Sequence, residues 1–243
     1  MINTKFLSGN MLKIIAAVAM LIDHIGVMLL PEVGFLRIIG RLAFPIFAFF
    51  IAEGCRYTKN KLRYFLNISV LAVFCQIAYY FFDGSLYMGI LVTFSISVLM
   101  IYALQNFKTA VFSGDFHKKH LTALIFFFAV SAVYIINLYI DIDYGFWGCV
   151  TPVFASIFMM NGENIPDEIK KYDSSFNHVL LMGISLLILS ASNGGIQYWS
   201  MLALPVLFLY SGKRGKRKMK CFFYIFYPLH HAVLQIINIL ITS

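Results

Sequence analysis

Charge is scarce in this sequence. Asp, Glu, Lys and Arg together make up 12% of the 243 residues, and only 11 residues are acidic. Soluble domains carry about 25% charged residues. So few charges exclude a disordered chain, a coiled coil and an ordinary soluble enzyme. Cysteine is also sparse: Cys55, Cys75, Cys149 and Cys221 lie far apart, with no C-x-x-C and no Cys/His ligand spacing. They read as free thiols in an apolar interior, and no metal centre is expected. The sequence has no internal repeat, no low-complexity tract and no long polar insertion. What it has instead is 60% hydrophobic residues and a mean hydropathy of +0.82. That composition leaves an integral membrane protein with little mass outside the bilayer. The net charge of +8 is no sign of a nucleic-acid partner in such a protein, because the placement of the charge decides its meaning.

A helix crosses a bilayer with about 20 apolar residues. About nine such runs occur: Met11–Leu30, Phe35–Arg56, Leu62–Phe82, Met88–Asn106, Leu121–Leu138, Tyr144–Met160, His178–Ser192, Gln197–Tyr210 and Cys221–Ile241. The seventh and eighth are short, so the range is about eight to ten. The first is too long for a signal-peptide core, contains Asp23 and His24, and is followed by no A-x-A-like site, so it reads as a retained span. The expected fold class is all-α: one polytopic transmembrane helix bundle over residues 1–243.

Loop charge orients the bundle. Lys and Arg gather in the Arg56–Arg63, Phe107–His120, Asn161–Asn177 and Ser211–Lys220 loops. The alternate loops hold Glu32, Asp83, Asp141 and Asp143. Nine spans with the N-terminus inside and the C-terminus outside put every basic loop in the cytoplasm. The pattern reads as a multi-pass, bacterial-type plasma-membrane protein with membrane lipid around it.

Several ionisable residues break the pattern. Asp23, His24 and Glu53 lie inside expected spans, and Arg37 and Arg41 fall on the acidic side. Such a group costs about 2.5–3.5 kcal/mol or more at mid-membrane, so it is normally paired or faces a cavity. Asp23 lies seven residues before Leu30, and Arg41 seven after Gly34. Both therefore sit roughly 10 Å below the outer surface and can meet across the Pro31–Gly34 turn. Arg37 shares the helix face of Arg41, and His24 points about 100° away from Asp23. A His near a carboxylate can act as general base or nucleophile, and arginines can hold a carboxylate, a phosphate or a developing oxyanion. The plainer reading is an Asp–Arg pair that fixes a helix hairpin. Glu53 reads as an interfacial carboxylate beside Arg56, and Lys13 as a side chain that snorkels to the inner surface.

The last span adds Tyr224, Tyr227, Pro228, His230 and His231. Pro228 removes a helix hydrogen bond within the span, which marks a kink beside a cavity. His230 falls near the midplane, where a packing histidine is the alternative to a catalytic one. Adjacent His residues do not share a helix face and make a poor metal pair. His117, His120 and His178 read as solvent or interface residues. The Lys213–Lys220 run anchors topology against anionic lipid, or contacts the phosphates of a cytosolic coenzyme. Arg56, Lys59, Lys61 and Arg63 carry the same double reading.

Two stretches resemble the TraX family. At the start these are Leu12-Lys13-Ile14-Ile15-Ala16 with Met20-Leu21-Ile22-Asp23-His24-Ile25-Gly26, then Leu36-Arg37-Ile38-Ile39-Gly40-Arg41 through Pro45 and Phe49 to Glu53-Gly54, Arg56 and Thr58. Near the end they are Tyr210-Ser211-Gly212-Lys213-Arg214-Gly215 and Phe223-Tyr224 through Phe226-Tyr227-Pro228-Leu229-His230. Asp143-Tyr144-Gly145 with Gly148 is a weaker match. The resemblance is specific in the first 60 residues and the last 35 and loose between. In this sequence Asn67, Cys75 and Gly89 stand where the family tends to carry Arg, Ser and Asn.

The TraX family is associated with N-terminal acetylation of a pilin subunit, and it looks related to membrane acyltransferases that pass an acetyl group from cytosolic acetyl-CoA to an acceptor on the far side. The resemblance implies an acetyltransferase with His24 as the catalytic residue, Asp23 and Arg41 in support, and His230 as second candidate. It implies contacts to acetyl-CoA from Lys13, Arg37, Glu53, Arg56, Lys213, Arg214 and Tyr227. The acceptor is an amine or hydroxyl of a peptide, an amino sugar or a surface glycan; the sequence does not say which. A homo-oligomer is left open. The residues alone also fit a proton-coupled small-solute transporter, since the same Asp, His, Arg and Glu make proton relays. The absence of an inverted repeat weighs against it.

Overall fold

A computed structural model describes residues 5–84, 86–160, 165–217 and 219–242. Lys218 of the basic run lies outside the described residues. The elements run α1 (Gly9–Met28), α2 (Gly34–Gly40), α3 (Ala43–Tyr57), α4 (Lys61–Asp83), α5 (Ile90–Phe112), α6 (Phe116–Tyr139), α7 (Gly145–Ser156), α8 (Asp167–Lys170) and α9 (Ser175–Asn193). A 3-10 helix, Gly195–Leu202, then leads into α10 (Ala203–Phe208), and α11 (Lys220–Thr242) follows.

Among the described residues, seven helices are long and apolar enough to cross a membrane: Gly9–Met28, Gly34–Tyr57, Lys61–Phe81, Ile90–Phe112, Phe116–Tyr139, Ser175–Asn193 and Phe222–Ile241. The chain is an all-helical, multi-pass membrane protein. The short segments are not the pair expected. The seventh apolar run forms a full 19-residue helix, α9, whereas the sixth forms only the 12-residue α7. The eighth forms the 3-10 segment and α10. Helix α7 stops where Lys108 Nζ donates to the carbonyls of Ser156 (2.9 Å), Ile157 (3.2 Å) and Met159 (2.9 Å). A cation on the last carbonyls satisfies acceptors that a helix end leaves open. The 3-10 segment begins at Gly194 and Gly195, both at positive φ (67° and 55°), a conformation that ends α9 at little cost only for glycine.

The helix starts follow local chemistry. Ser8 caps α1 by accepting from Met11 N, Asn60 caps α4 by accepting from Arg63 N, and Asp115 caps α6 by accepting from Lys118 N. The second span is broken. Pro45 has no N–H to return to the carbonyl four residues back, that of Arg41. Helix α2 therefore ends at Gly40, and α3 starts afresh at Ala43.

The chain separates into two compact units, 1–47 with 190–243 and 48–189. In the first, α1 packs on α2 and α11, and α2 on the 3-10 helix. Its core is Ala19, Met20 and Ala43, covered by Ile39, Leu42, Phe47, Phe226 and Tyr227. A strap closes its basic end: Gly9 N and Asn10 N donate to the carbonyls of Lys213 (2.8 Å) and Arg214 (2.9 Å), and Asn10 Nδ2 donates to Arg217 O (2.6 Å). In the second unit α5 is central, packed on α4, α6 and α7. Ser97 Oγ donates to Cys149 O (2.8 Å), and Thr151 Oγ1 bonds Ser185 Oγ (2.9 Å), so these four residues tie α5, α7 and α9 together inside this core. Helix α6 buries only Val133 and, beyond the His117–His120 start, is apolar all round, as a lipid-facing span is.

Candidate functional site

The intramembrane charges of the first unit meet. Asp23 on α1 receives Arg37 Nη1 at 2.6 Å on Oδ2, and Arg41 Nη2 at 2.8 Å on each oxygen. Both arginines come from α2 and its C-terminal residue, so the hairpin turn after α1 places them. The close approach depends on Gly40: the Asp23 carboxylate occupies the space that a Cβ there would need. Asp23 thus pairs with the arginines and makes no bond to the His24 ring. Two guanidiniums on one carboxylate leave these three residues with one excess positive charge.

His24 has a different partner. Its Nδ1 lies 2.7 Å from His230 Nε2. The ring planes differ by only 11° with centroids 4.9 Å apart. At so short an N···N distance the two rings meet edge to edge in a shared plane rather than face to face. His230 Nδ1 lies 2.9 Å from Phe226 O, one helical turn back on α11. A carbonyl only accepts, so His230 Nδ1 carries a proton and donates it. In the neutral ring His230 Nε2 is then the acceptor, and His24 Nδ1–H donates to it. The tautomers follow from the network. The chain of bonds leaves the lone pair of His24 on Nε2. His230 is buried at 5% exposure, while His24 is half-buried. His231 sets its ring edge-on to His24 at 5.7 Å, and the Phe226 ring lies parallel to His230 at 5.0 Å. Both guanidiniums are within electrostatic range of the His24 ring.

One further polar residue, Gln197, borders this cluster with Ser200 one 3-10 turn beyond it, and the sequence did not single them out. Arg41 Nη1 donates to Gln197 Oε1 at 3.4 Å. Gln197 is 4% exposed and its Nε2 has no hydrogen-bond partner; Ser200 is fully buried and its Oγ has none either. An unmet buried donor costs about 1–3 kcal/mol. The residues sit three apart in a 3-10 helix, where positions i and i+3 eclipse, so they share one edge. The one signal in the sequence was Gly194-Gly195, which breaks the apolar run beside a lone amide.

Tyr227 packs on the Ala19–Met20–Ala43 core and meets the His230 ring edge-on at 5.8 Å. Lys13 is half-buried on α1, and Lys213 and Arg214 are exposed on the strapped loop. Glu53 and Arg56 belong to the second unit. Arg56 there grips Asp173 with two bonds, Nη1 to Oδ1 at 2.9 Å and Nη2 to Oδ2 at 2.6 Å. Asp173 also accepts from Met160 N (3.2 Å), and His178 Nε2 lies 2.9 Å from its Oδ1. His178 is therefore not the solvent or interface residue expected from its position at a span end. It is 6% exposed, with its ring turned inward beside the carboxylate of the adjoining turn. His117 and His120 are exposed.

The family described as TraX protein matches residues 8–238. Over 247 aligned residues the chain is 27% identical to a probable fimbrial assembly protein FimC, serogroup H1, of Dichelobacter nodosus, covering 93% of this chain and 94% of that protein. It is 34% identical over 122 residues to an uncharacterized protein, RP591, of Rickettsia prowazekii (strain Madrid E). That match covers 50% of this chain and 47% of RP591, so the chain spans about half the length of that relative. No solved structure matches.

Proposed function

The chain belongs to the TraX family, and from that premise we propose that it is a membrane acetyltransferase. It takes the acetyl group of cytosolic acetyl-CoA and delivers it to an amine or hydroxyl at the outer side of a bacterial plasma membrane, with His24 as the reactive group. The observation that carries the reading is the bond chain Phe226 O···His230···His24, which leaves His24 Nε2 as an unprotonated nitrogen on a half-buried ring. In the general-base form, Nε2 takes the proton of the acceptor as its N or O attacks the thioester carbonyl. The tetrahedral oxyanion forms near two guanidiniums, the C–S bond breaks, and the thiolate recovers the proton from His24. Charge on the imidazole is shared with His230, which already points its acceptor at the His24 proton. In the nucleophilic form Nε2 attacks the thioester carbonyl and expels the thiolate; the acceptor then attacks the acetyl-imidazole, its C–N bond to Nε2 breaks, and the acceptor's proton passes to the thiolate.

The dimensions agree with a long, two-ended donor. Lys213 and Arg214 hang on the first residues of α1. His24 lies fifteen residues further along α1, roughly 22 Å at helical rise. A coenzyme with phosphates at one end and a thioester at the end of an extended arm has that form. Arg56 is committed to Asp173, so Lys213 and Arg214 are the better placed contacts for the phosphates, with Lys13 and Tyr227 on the helices between. The full-length relative named as a probable fimbrial assembly protein supports an acceptor among fimbrial or other envelope proteins, such as a peptide N-terminus.

The test is acetyl-CoA turnover by purified protein in nanodiscs, with a peptide amine present, beside His24→Ala. Thioester loss or labelled acetyl on the protein, at least about 10²-fold lower in the variant, is the expected result. Turnover equal in both would move the chemistry away from His24. No turnover in either, from folded protein with acceptor present, would overturn the transferase and leave proton flux as the next assay.

A further inference from the structure

We propose that the first unit holds a subsite for an anionic group, a carboxylate or a phosphate, of the molecule on which His24 acts. The subsite is formed by Arg37, Gln197 and Ser200 beside the Asp23–Arg41 pair. The proposal rests on the reading of His24 as the reactive centre only for which molecule is bound; the binding itself stands on the geometry.

Three observations converge. The first is charge. Asp23 is shared by Arg37 and Arg41, so the trio carries one positive charge more than it neutralises. In a span, such an excess is costly unless a counter-ion or a cavity meets it. The second is the count of donors. Arg37 has five N–H groups, and among the described hydrogen bonds one of them is used, on Asp23. Its side chain keeps 28% exposure, against 11% for Arg41, so Arg37 is the arginine a ligand can reach. Gln197 Oε1 faces Arg41, which fixes the amide orientation and turns the Nε2 donor elsewhere. That donor and the Ser200 hydroxyl are buried and unmet. The third is the backbone. Eight consecutive 3-10 residues are more than such helices normally run. The eclipsed i, i+3 register stacks Gln197 over Ser200 on one edge, and α2, which carries Arg37, packs against this helix.

Donors thus outnumber acceptors here. The fitting ligand group is one that only accepts and carries negative charge. A carboxylate of an acidic peptide or sugar and a phosphate of a lipid-linked substrate share that chemistry. A neutral amide or hydroxyl does not relieve the excess charge.

The experiment is thermal unfolding of the protein in zwitterionic nanodiscs, titrated with potassium glucuronate or inorganic phosphate. Potassium chloride at equal ionic strength and neutral glucuronamide serve as controls. Wild type is expected to show a saturable rise in midpoint with glucuronate, phosphate or both, and none with the controls. A response to glucuronate alone assigns a carboxylate, and one to phosphate alone a phosphoryl group. Arg37→Gln is expected to weaken the response at least tenfold. Gln197→Glu replaces the Nε2 donor by a carboxylate oxygen and supplies the missing negative charge from the protein, so it should raise the midpoint of the ligand-free protein and abolish the anion response. A wild-type midpoint that chloride shifts equally, or an anion response unchanged in both variants, would overturn the subsite. Since the readout is unfolding, a missing subsite leaves the His24 turnover comparison unaffected, and missing turnover leaves the anion response unaffected.

Discussion

Each unit of this protein holds one aspartate gripped by arginine with imidazole close by, yet the two clusters are opposite in kind. In the second unit, Asp173 meets one arginine through two bonds, a backbone amide and His178. One charge balances one charge, and a bidentate arginine and a backbone amide hold the carboxylate. In the first unit, Asp23 meets two arginines, the histidines bond each other instead of the carboxylate, and donors on Gln197 and Ser200 stay unmet. The same residue types therefore build a closed clamp in one place and an open, positively charged site in the other. The two clusters differ in the balance of charge around the carboxylate, not in the presence of buried charge.

Substitutions on either side test that contrast. After loss of His24 itself, the largest effect is expected at His230. His230→Leu removes the acceptor that holds His24 Nδ1–H and frees the ring to take the wrong tautomer. Turnover should fall about 10²-fold, the scale of a misplaced reacting group, with the acetyl-CoA KM little changed. His230→Gln, whose carbonyl oxygen can still accept, should recover much of the loss. Equal loss in both would show that His230 only fills space.

Asp173→Asn strips the clamp of its charge and takes from Arg56 the carboxylate it grips. Breaking a buried pair in this way costs about 3–5 kcal/mol, with the lower end expected because Arg56 keeps 22% exposure. The thermal midpoint should drop while turnover per folded molecule stays at the wild-type level. If turnover fell with unchanged stability, the second cluster would be part of the chemistry. Gly40→Ala is expected to be smaller in stability, about 1–3 kcal/mol for an overpacked site, but to cost activity as well, since its Cβ displaces Asp23. Preserved turnover in that variant would mean that the Asp23–arginine geometry is dispensable.

The smallest effect concerns Asp115, outside the spans at the start of α6. The backbone N–H of Lys118, then its ammonium, hold this carboxyl below the ordinary carboxylate value. A group with a depressed folded value contributes stability above its unfolded value of about 3.9 and loses it as pH falls through the folded one. Hydrogen exchange at the first turn of α6 should therefore quicken below about pH 4 in wild type. In Asp115→Ala it should be fast at neutral pH too, without a measurable change in the global midpoint.

Much of the first unit was legible in the residues. The meeting of Asp23 with Arg41 follows from helical rise on either side of a four-residue turn, whereas the break that Pro45 makes after Arg41 was passed over because Phe35–Arg56 reads as one apolar run. The His24–His230 bond was not legible. The two residues are 206 positions apart, and only the packing of α11 on α1 brings their rings together. Gln197 and Ser200 were passed over because a lone amide and a serine in an apolar run carry no periodic signal. His178 was misread for the same reason: its partner Asp173 lies in a turn, and Arg56 comes from another helix.

Composition, run length and loop charge were enough to establish a multi-pass helical membrane protein, because crossing lipid demands long apolar helices whatever they pack against. They also brought Asp23 and Arg41 within reach of each other across a tight turn, since reach along two helices depends only on rise per residue. Which imidazole nitrogen holds the lone pair, which carboxylate is saturated and which donors are left unmet are properties of contacts between distant segments. Those contacts form only when helices pack side by side, so they were decided by the tertiary structure.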